Sequence, residues 1–311
     1  MTISVPGHFG MWFGLSSASW HPGTIPKRIE TARGTVEVAR MGQGASVLCL
    51  HGGMGGWDQS LLLARAALGD VRGLDILAPS RPGYLGTPLK DHGTPETQAD
   101  LYAALLDRLG IRRTLILALS AGGPSALAFA ARHRERCAGL VLMSACTGRL
   151  HVPHQVQARL PVFSTAAHIP GFAALLGQLT AQAPERAARF SILDAEVCAR
   201  TLAHPEAGPF MRAVQERIFE HMAERLTGTR HDIDGLSALP PTVFDGVSVP
   251  VLAMHGTADR VVPFAHGERL AQGLPGVRFM PIRGGEHVCL FTHLDVVRRG
   301  VAGFLDALGS W

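Results

Sequence analysis

The chain has 311 residues, 47% of them hydrophobic and 17% charged, and that much apolar material excludes intrinsic disorder because burial offsets the entropy of ordering. Its 36 glycines and 20 prolines recur without a period, which excludes collagen-like and low-complexity chains and reads as many short turns. Its 29 Lys and Arg against 25 Asp and Glu give a net charge of +4, spread along the chain rather than gathered into the basic face that phosphate binding needs, so no nucleic-acid partner is expected.

Residues 1–30 read as an N-terminal extension. It contains Trp12, Phe13 and Trp20 but no cation before Lys27, so no secretory signal is expected. Strands follow at Thr35 to Arg40, Ser46 to Leu50, Leu74 to Ala78, Thr114 to Leu119, Gly139 to Met143, Pro250 to Met254 and Val277 to Ile282. Several are almost wholly apolar, as expected of strands covered on both faces. Helical patterns alternate with them at Asp58 to Leu68, Pro95 to Leu109, Ala121 to His133, Phe264 to Gln272 and Thr292 to Leu308. The alternation predicts a mostly parallel central β-sheet flanked by helices.

The uncharged stretch Thr114 to Ala131 has the length of a membrane span. Ser120, Gly122, Gly123, Pro124 and Ser125 divide it into strand, turn and helix, so no stable membrane insertion is expected. From Gly148 to about Thr229 the β-branched runs disappear and four or five helices are predicted. The clearest is Phe210 to Leu226, with Met211, Val214, Ile218 and Met222 at helical spacing. The domain plan is therefore a core at 31–147 and 232–311, with an all-helical insertion at 148–231 that is naturally a lid or, alternatively, packing decoration.

The five cysteines (Cys49, Cys137, Cys146, Cys198 and Cys289) are odd in number and have no metal-type spacing, which favours a reduced, cytoplasmic setting. Of the 15 histidines, His151 with His154 and His204 with His221 lack an accompanying carboxylate-rich helix face. No metal and no organic cofactor are expected.

The strongest local signal is Ala118-Leu119-Ser120-Ala121-Gly122-Gly123, between an apolar strand and a helical run. Small residues on both sides of Ser120 suit a sharp strand-to-helix turn that lifts its hydroxyl above the helix N-terminus. His51-Gly52-Gly53-Met54-Gly55-Gly56 follows another strand, where glycine lets backbone approach a substrate closely. It is not a phosphate-binding Walker loop, because no Gly-Lys-Ser/Thr follows.

With these two motifs the chain resembles the α/β-hydrolase fold family, in the form that carries a helical cap. Ala78-Pro79-Ser80-Arg81-Pro82-Gly83-Tyr84 is similar to the segment after the family's next strand, although Ser80 stands where Asp is usual and Leu85 is an added residue. Ala118 likewise replaces the first glycine of the usual elbow. His255-Gly256-Thr257-Ala258-Asp259-Arg260-Val261-Val262-Pro263 resembles the family's acid loop, and Gly284-Gly285-Glu286-His287 its histidine loop. The resemblance implies a triad of Ser120, Asp259 and His287 in the family's order, with Gly53 and Ala121 supplying backbone N–H groups to an oxyanion hole. Met143 to Gly148 holds no rival carboxylate. Met54, Trp57, Phe210, Met211 and Val288 are candidates for the substrate pocket, Trp57 alternatively being a plain helix start.

The function implied is a serine hydrolase acting on carboxylic esters of a small to medium substrate through an acyl-enzyme. Two alternatives remain open. One is a hydrolase of carbon–carbon bonds in vinylogous diketones, with Val288 where those members often have Trp. The other is a small-molecule receptor on the same fold. The family's Asp-nucleophile members are disfavoured by Ser120.

Overall fold

The computed structural model describes residues 24–152, 154–240 and 244–311. Within them eight strands form one sheet: β1 (Lys27–Thr31), β2 (Gly34–Gly42), β3 (Ala45–Leu50), β4 (Leu74–Pro79), β5 (Thr114–Leu119), β6 (Cys137–Met143), β7 (Val251–Gly256) and β8 (Arg278–Ile282). Their spatial order is β1-β2-β4-β3-β5-β6-β7-β8. The β1–β2 and β2–β4 pairs are antiparallel and the rest are parallel. All seven expected strands occur; β1 is additional. Most of the expected N-terminal extension lies outside the described residues.

Among the described residues twelve α-helices accompany the sheet: α1 (Trp57–Leu68), α2 (Pro95–Arg108), α3 (Gly123–Arg132), α4 (His154–Ala166), α5 (Phe172–Gln182), α6 (Pro184–Ala188), α7 (Ala195–Ala203), α8 (Ala207–Arg217), α9 (Met222–Ala238), α10 (Ala265–Gly273), α11 (Cys289–Thr292) and α12 (Leu294–Leu308). None of the described helices is long and apolar enough to cross a membrane.

Strand residues alternate between two apolar cores. Val47, Cys49, Leu115, Leu117, Val141 and Leu252 face the layer of α1 and α12, whereas Leu48, Leu50, Ile116, Leu140, Leu142 and Ala253 face α2, α3 and α10. Two-sided burial explains the continuous apolar runs. In α12, Leu294, Val297, Val301 and Phe304 recur on one buried stripe, the pattern of a helix laid on a sheet. Thr94 caps α2 by accepting the Thr97 N–H, with Pro95 at the first turn.

Helices α4 to α9 occupy the connection between β6 and β7. The single helix expected over 210–226 is two, α8 and α9, separated by a turn in which His221 has φ +54°. The expected return to the core at 232 falls inside α9, which runs on to Ala238. Tertiary partners hold it there. Gly228 packs so closely on Tyr84 that an added methyl would lie 2.3 Å from the ring. Arg225 pairs with Asp58 of α1 at 2.7 Å, both side chains almost wholly buried. Asp232 accepts hydrogen bonds from Arg81 and from the Tyr84 hydroxyl.

Candidate active site

The sheet order reverses at β3, because the chain goes from β3 outward to β4 and then returns to β5 on the other side. A crevice outside the carboxyl ends of the strands is expected at such a switch point. His51–Gly56 follows β3 and Ser120 follows β5. The loops carrying Asp259 and His287 follow β7 and β8, on the same edge.

Ser120 is backbone-strained, with φ +53°, a left-handed conformation that costs an L-residue about 1–2 kcal/mol. Its surroundings enforce the turn. The methyl of an alanine at Gly122 would lie 2.6 Å from the Leu50 carbonyl oxygen, and one at Gly123 2.7 Å from Ala145 Cβ. A methyl at Gly52 would lie 3.1 Å from Ser120 Cβ. The Ser120 carbonyl accepts the Cys146 N–H at 3.0 Å. Ala118, where glycine is usual, is fully buried in the core on the α2 side, so its methyl is accommodated. Ala121 borders a cavity of about 390 Å³ whose other walls come from the start of α2, the end of α9 and the Arg81–Asp232 pair.

The β3 loop is fixed from below. His51 is buried; its Nε2 accepts the Arg81 N–H at 2.9 Å and its Nδ1 donates to the Gly52 carbonyl at 2.7 Å, which sets the tautomer. Burial first, and then the Arg81 charge, hold its pKa well below the usual imidazole value. Ser80 accepts the Trp57 N–H and donates to Glu37, so the residue replacing the usual Asp bridges α1 and β2. Gly53 stands exposed, and a methyl there would meet nothing within 4 Å. The next N–H, that of Met54, donates to Thr229 Oγ1 of α9 at 2.9 Å.

Asp259 and His287 come together directly, His287 Nδ1 lying 2.9 Å from Asp259 Oδ2. The carboxylate is fully buried, whereas the ring is 19% exposed. Asp259 Oδ1 accepts the Val261 and Val262 N–H groups, each at 2.9 Å. Burial alone would raise the Asp259 pKa, but hydrogen bonds from His255, His287 and the Val262 N–H outweigh it and hold the carboxyl far below the usual range. Among the described residues no hydrogen bond joins Ser120 Oγ to the His287 ring; in unliganded sites such contacts are often long and tighten on binding.

Glu286, next to His287, turns toward the helical insertion. Its Oε1 accepts the N–H of Leu193 at 2.8 Å and of Asp194 at 3.3 Å, just before α7. On the other side of His287, Phe291 stacks on Phe210 with centroids 6.2 Å apart. Phe210 and Met211 are 1% exposed and belong to the core on the α1 side. These two pocket candidates therefore pack at the junction of α8 with α11 and α1. Met54, Trp57 and Val288 are half-buried, Trp57 being the first residue of α1. All five cysteines are free and buried. No group of described His, Cys, Asp or Glu is arranged to hold a metal ion.

Residues 45–294 match the alpha/beta hydrolase fold family. A solved alpha/beta hydrolase fold protein from Nakamurella multipartita is 31% identical with a TM-score of 0.79, over 92% of this chain and all of that one. An uncharacterized hydrolase, YcgS, of Bacillus subtilis is 36% identical over 140 residues, which span 44% of this chain and 48% of its own length. A 2-hydroxy-6-oxononadienedioate/2-hydroxy-6-oxononatrienedioate hydrolase of Cupriavidus pinatubonensis is 26% identical over 278 residues, 85% of this chain and 88% of that protein.

Proposed function

The chain belongs to the α/β-hydrolase fold family, and on that premise we propose that it is a serine hydrolase of carboxylic esters, with Ser120 as nucleophile. The observation that carries the proposal is the Asp259–His287 pair at 2.9 Å, buried at its carboxylate end and open at its imidazole end. A hydroxyl is a weak nucleophile at neutral pH and needs a base to take its proton. His287 Nδ1 donates to Asp259, which leaves Nε2 free to accept the Ser120 proton. Asp259 then stabilises the imidazolium. Ser120 Oγ attacks the ester carbonyl carbon, and the oxyanion receives the Gly53 and Ala121 N–H groups. Each such donor is worth roughly 3 kcal/mol in a transition state. His287 returns its proton to the leaving alcohol, and water, deprotonated by the same ring, releases the acid.

The helices of 148–231, continued by α9 to Ala238, serve in this reading as a cap. The five free, buried thiols suit a reducing, cytoplasmic setting. A carbon–carbon hydrolase is the second reading, favoured by the relative in Cupriavidus pinatubonensis, which acts on 2-hydroxy-6-oxononadienedioate and 2-hydroxy-6-oxononatrienedioate; Val288 after the histidine weighs against it.

A fluorophosphonate probe tests the nucleophile: the native protein is labelled at Ser120 and Ser120→Ala is not. Label on another serine overturns the assignment. Turnover of p-nitrophenyl esters of graded chain length, set beside turnover of vinylogous diketones, separates the two reactions. A single turnover that leaves the protein modified would identify a receptor instead.

A further inference from the structure

Behind the Asp259–His287 pair lies a second imidazole that this mechanism does not use. His255, at the end of β7, is 1% exposed. Its Nε2 lies 2.8 Å from the Val262 carbonyl oxygen and 3.5 Å from Asp259 Oδ2, the same carboxylate oxygen that receives His287. A carbonyl has no proton to give, so Nε2 carries the hydrogen, donates it to the Val262 carbonyl and holds its N–H dipole beside Asp259 Oδ2. Its Nδ1 is buried without a hydrogen-bond partner. A donor placed there would be buried and unsatisfied, which fixes the tautomer with its hydrogen on Nε2.

Beside the ring stand Asp259 on its own loop and His266 on α10, with Arg269 beyond His266 and His287 beyond Asp259. Gly267 of α10 admits the ring closely, an added methyl lying 2.7 Å from His255 Cβ. The Phe264 ring meets it edge-on at 6.1 Å. His266 is itself held neutral near pH 7, lowered to about 4 by burial first and then by Arg269. Its Nδ1 accepts the Thr147 N–H at 3.0 Å.

We propose that His255 is a positioning residue that acts through Asp259: its Nε2–H, fixed by the Val262 carbonyl, stands 3.5 Å from the same Oδ2 that His287 meets and so sets how strongly the carboxylate holds the His287 proton. The proposal rests on the triad reading for its relevance to turnover, but its physical content concerns only the two imidazoles and the carboxylate between them. Removing the donor concentrates negative charge on Oδ2. That charge favours the His287 imidazolium, so the His287 pKa rises.

The experiment is an NMR titration of the His287 ring in the native protein, His255→Leu and His255→Gln. Leucine fills the space without a donor, whereas the glutamine amide can place an N–H near the Nε2 position. The His287 pKa is expected to rise by about half to one pH unit in the Leu variant, and to return toward the native value in the Gln variant. In turnover, the acid limb of kcat/KM moves up by the same amount in His255→Leu with KM unchanged. If that variant does not fold, His255→Asn, whose amide is too short to reach the Val262 carbonyl, must show the rise. An unmoved His287 pKa in a folded variant without the donor overturns the proposal. Ser120 labelling of the same samples reports separately on the triad reading, so the two can fail independently.

Discussion

Glu286 Oε1 accepts the Leu193 N–H at 2.8 Å, so the residue before His287 is tied to the helical insertion by its side chain. Glu286→Ala removes the acceptor and frees the turn before α7. The expected result is a KM raised several-fold for the larger esters, with kcat for the smallest one little changed. Glu286→Gln keeps a carbonyl acceptor and restores the native ratio between large and small substrates. Equal ratios in all three proteins would mean that the tie has no influence on access.

Asp259→Asn puts an amide where the carboxylate orients His287. In a serine protease the corresponding change lowers kcat by about four orders of magnitude, and a loss of similar order is expected here with thermal unfolding near native. Asp232→Asn is the contrasting variant. Its carboxylate is taken up by Arg81 and Tyr84, so it lowers stability and leaves kcat of the folded fraction nearly intact.

The Arg225–Asp58 pair is almost wholly buried at both ends. Removing one partner strands a charge, which typically costs about 3–5 kcal/mol. Arg225→Met is therefore expected to lower the unfolding free energy by that amount. The double change Arg225→Met with Asp58→Leu recovers much of the loss. A strictly additive double-mutant cycle, measured by urea unfolding, would show that the charges do not interact.

Two glycines of α9 separate packing from helix propensity. At Gly228 a methyl lies 2.3 Å from Tyr84, whereas at Gly235 it meets nothing within 4 Å. Gly235→Ala is expected to stabilise by about 0.5–1 kcal/mol. Gly228→Ala is expected to destabilise by roughly 1–3 kcal/mol through overpacking. Equal effects at the two positions would contradict the close approach of α9 to Tyr84.

His266 gives the protein a definite acid sensitivity. Burial, then Arg269, lower its pKa to about 4 in the folded state, against about 6.5 for an unperturbed imidazole. The unfolded chain thus binds the extra proton first, and stability falls as the pH drops from about 6.5 toward 4. Unfolding midpoints measured between those values are expected to decline, and less steeply in His266→Gln. Asp259 acts lower on the scale. Its depressed pKa supports the fold above about pH 4 and that support is lost on further acidification.

The candidate site is legible where a motif follows a strand. The loops after β3, β5, β7 and β8 were each bounded by such a strand, and the order of their residues narrowed the fold. β1 was not legible, because Lys27-Arg28-Ile29-Glu30-Thr31 is an edge strand with no apolar run and takes its shape from pairing with β2. Nor was the length of α9, whose Gly228 and Asp232 look like interruptions until Tyr84 and Arg81 are placed against them. Phe210 shows a further limit: spacing reveals that a residue is inward, but not whether a substrate or Phe291 lies there. Glu286 differed from the usual glycine in the sequence, and only the turn before α7 explains it.

The helices of the insertion are unequally anchored. α5 has no buried residue and leaves Leu175 and Leu179 more than half exposed, whereas α9 is bound to the core by two ion pairs. Backbone amides exchange with solvent at rates set by the cost of local opening. Deuterium would therefore enter α5 long before α9, and a protease would nick the chain on the α5 side first. The protein thus has a graded rather than an all-or-none softness, α5 yielding before the helix that the two ion pairs clamp.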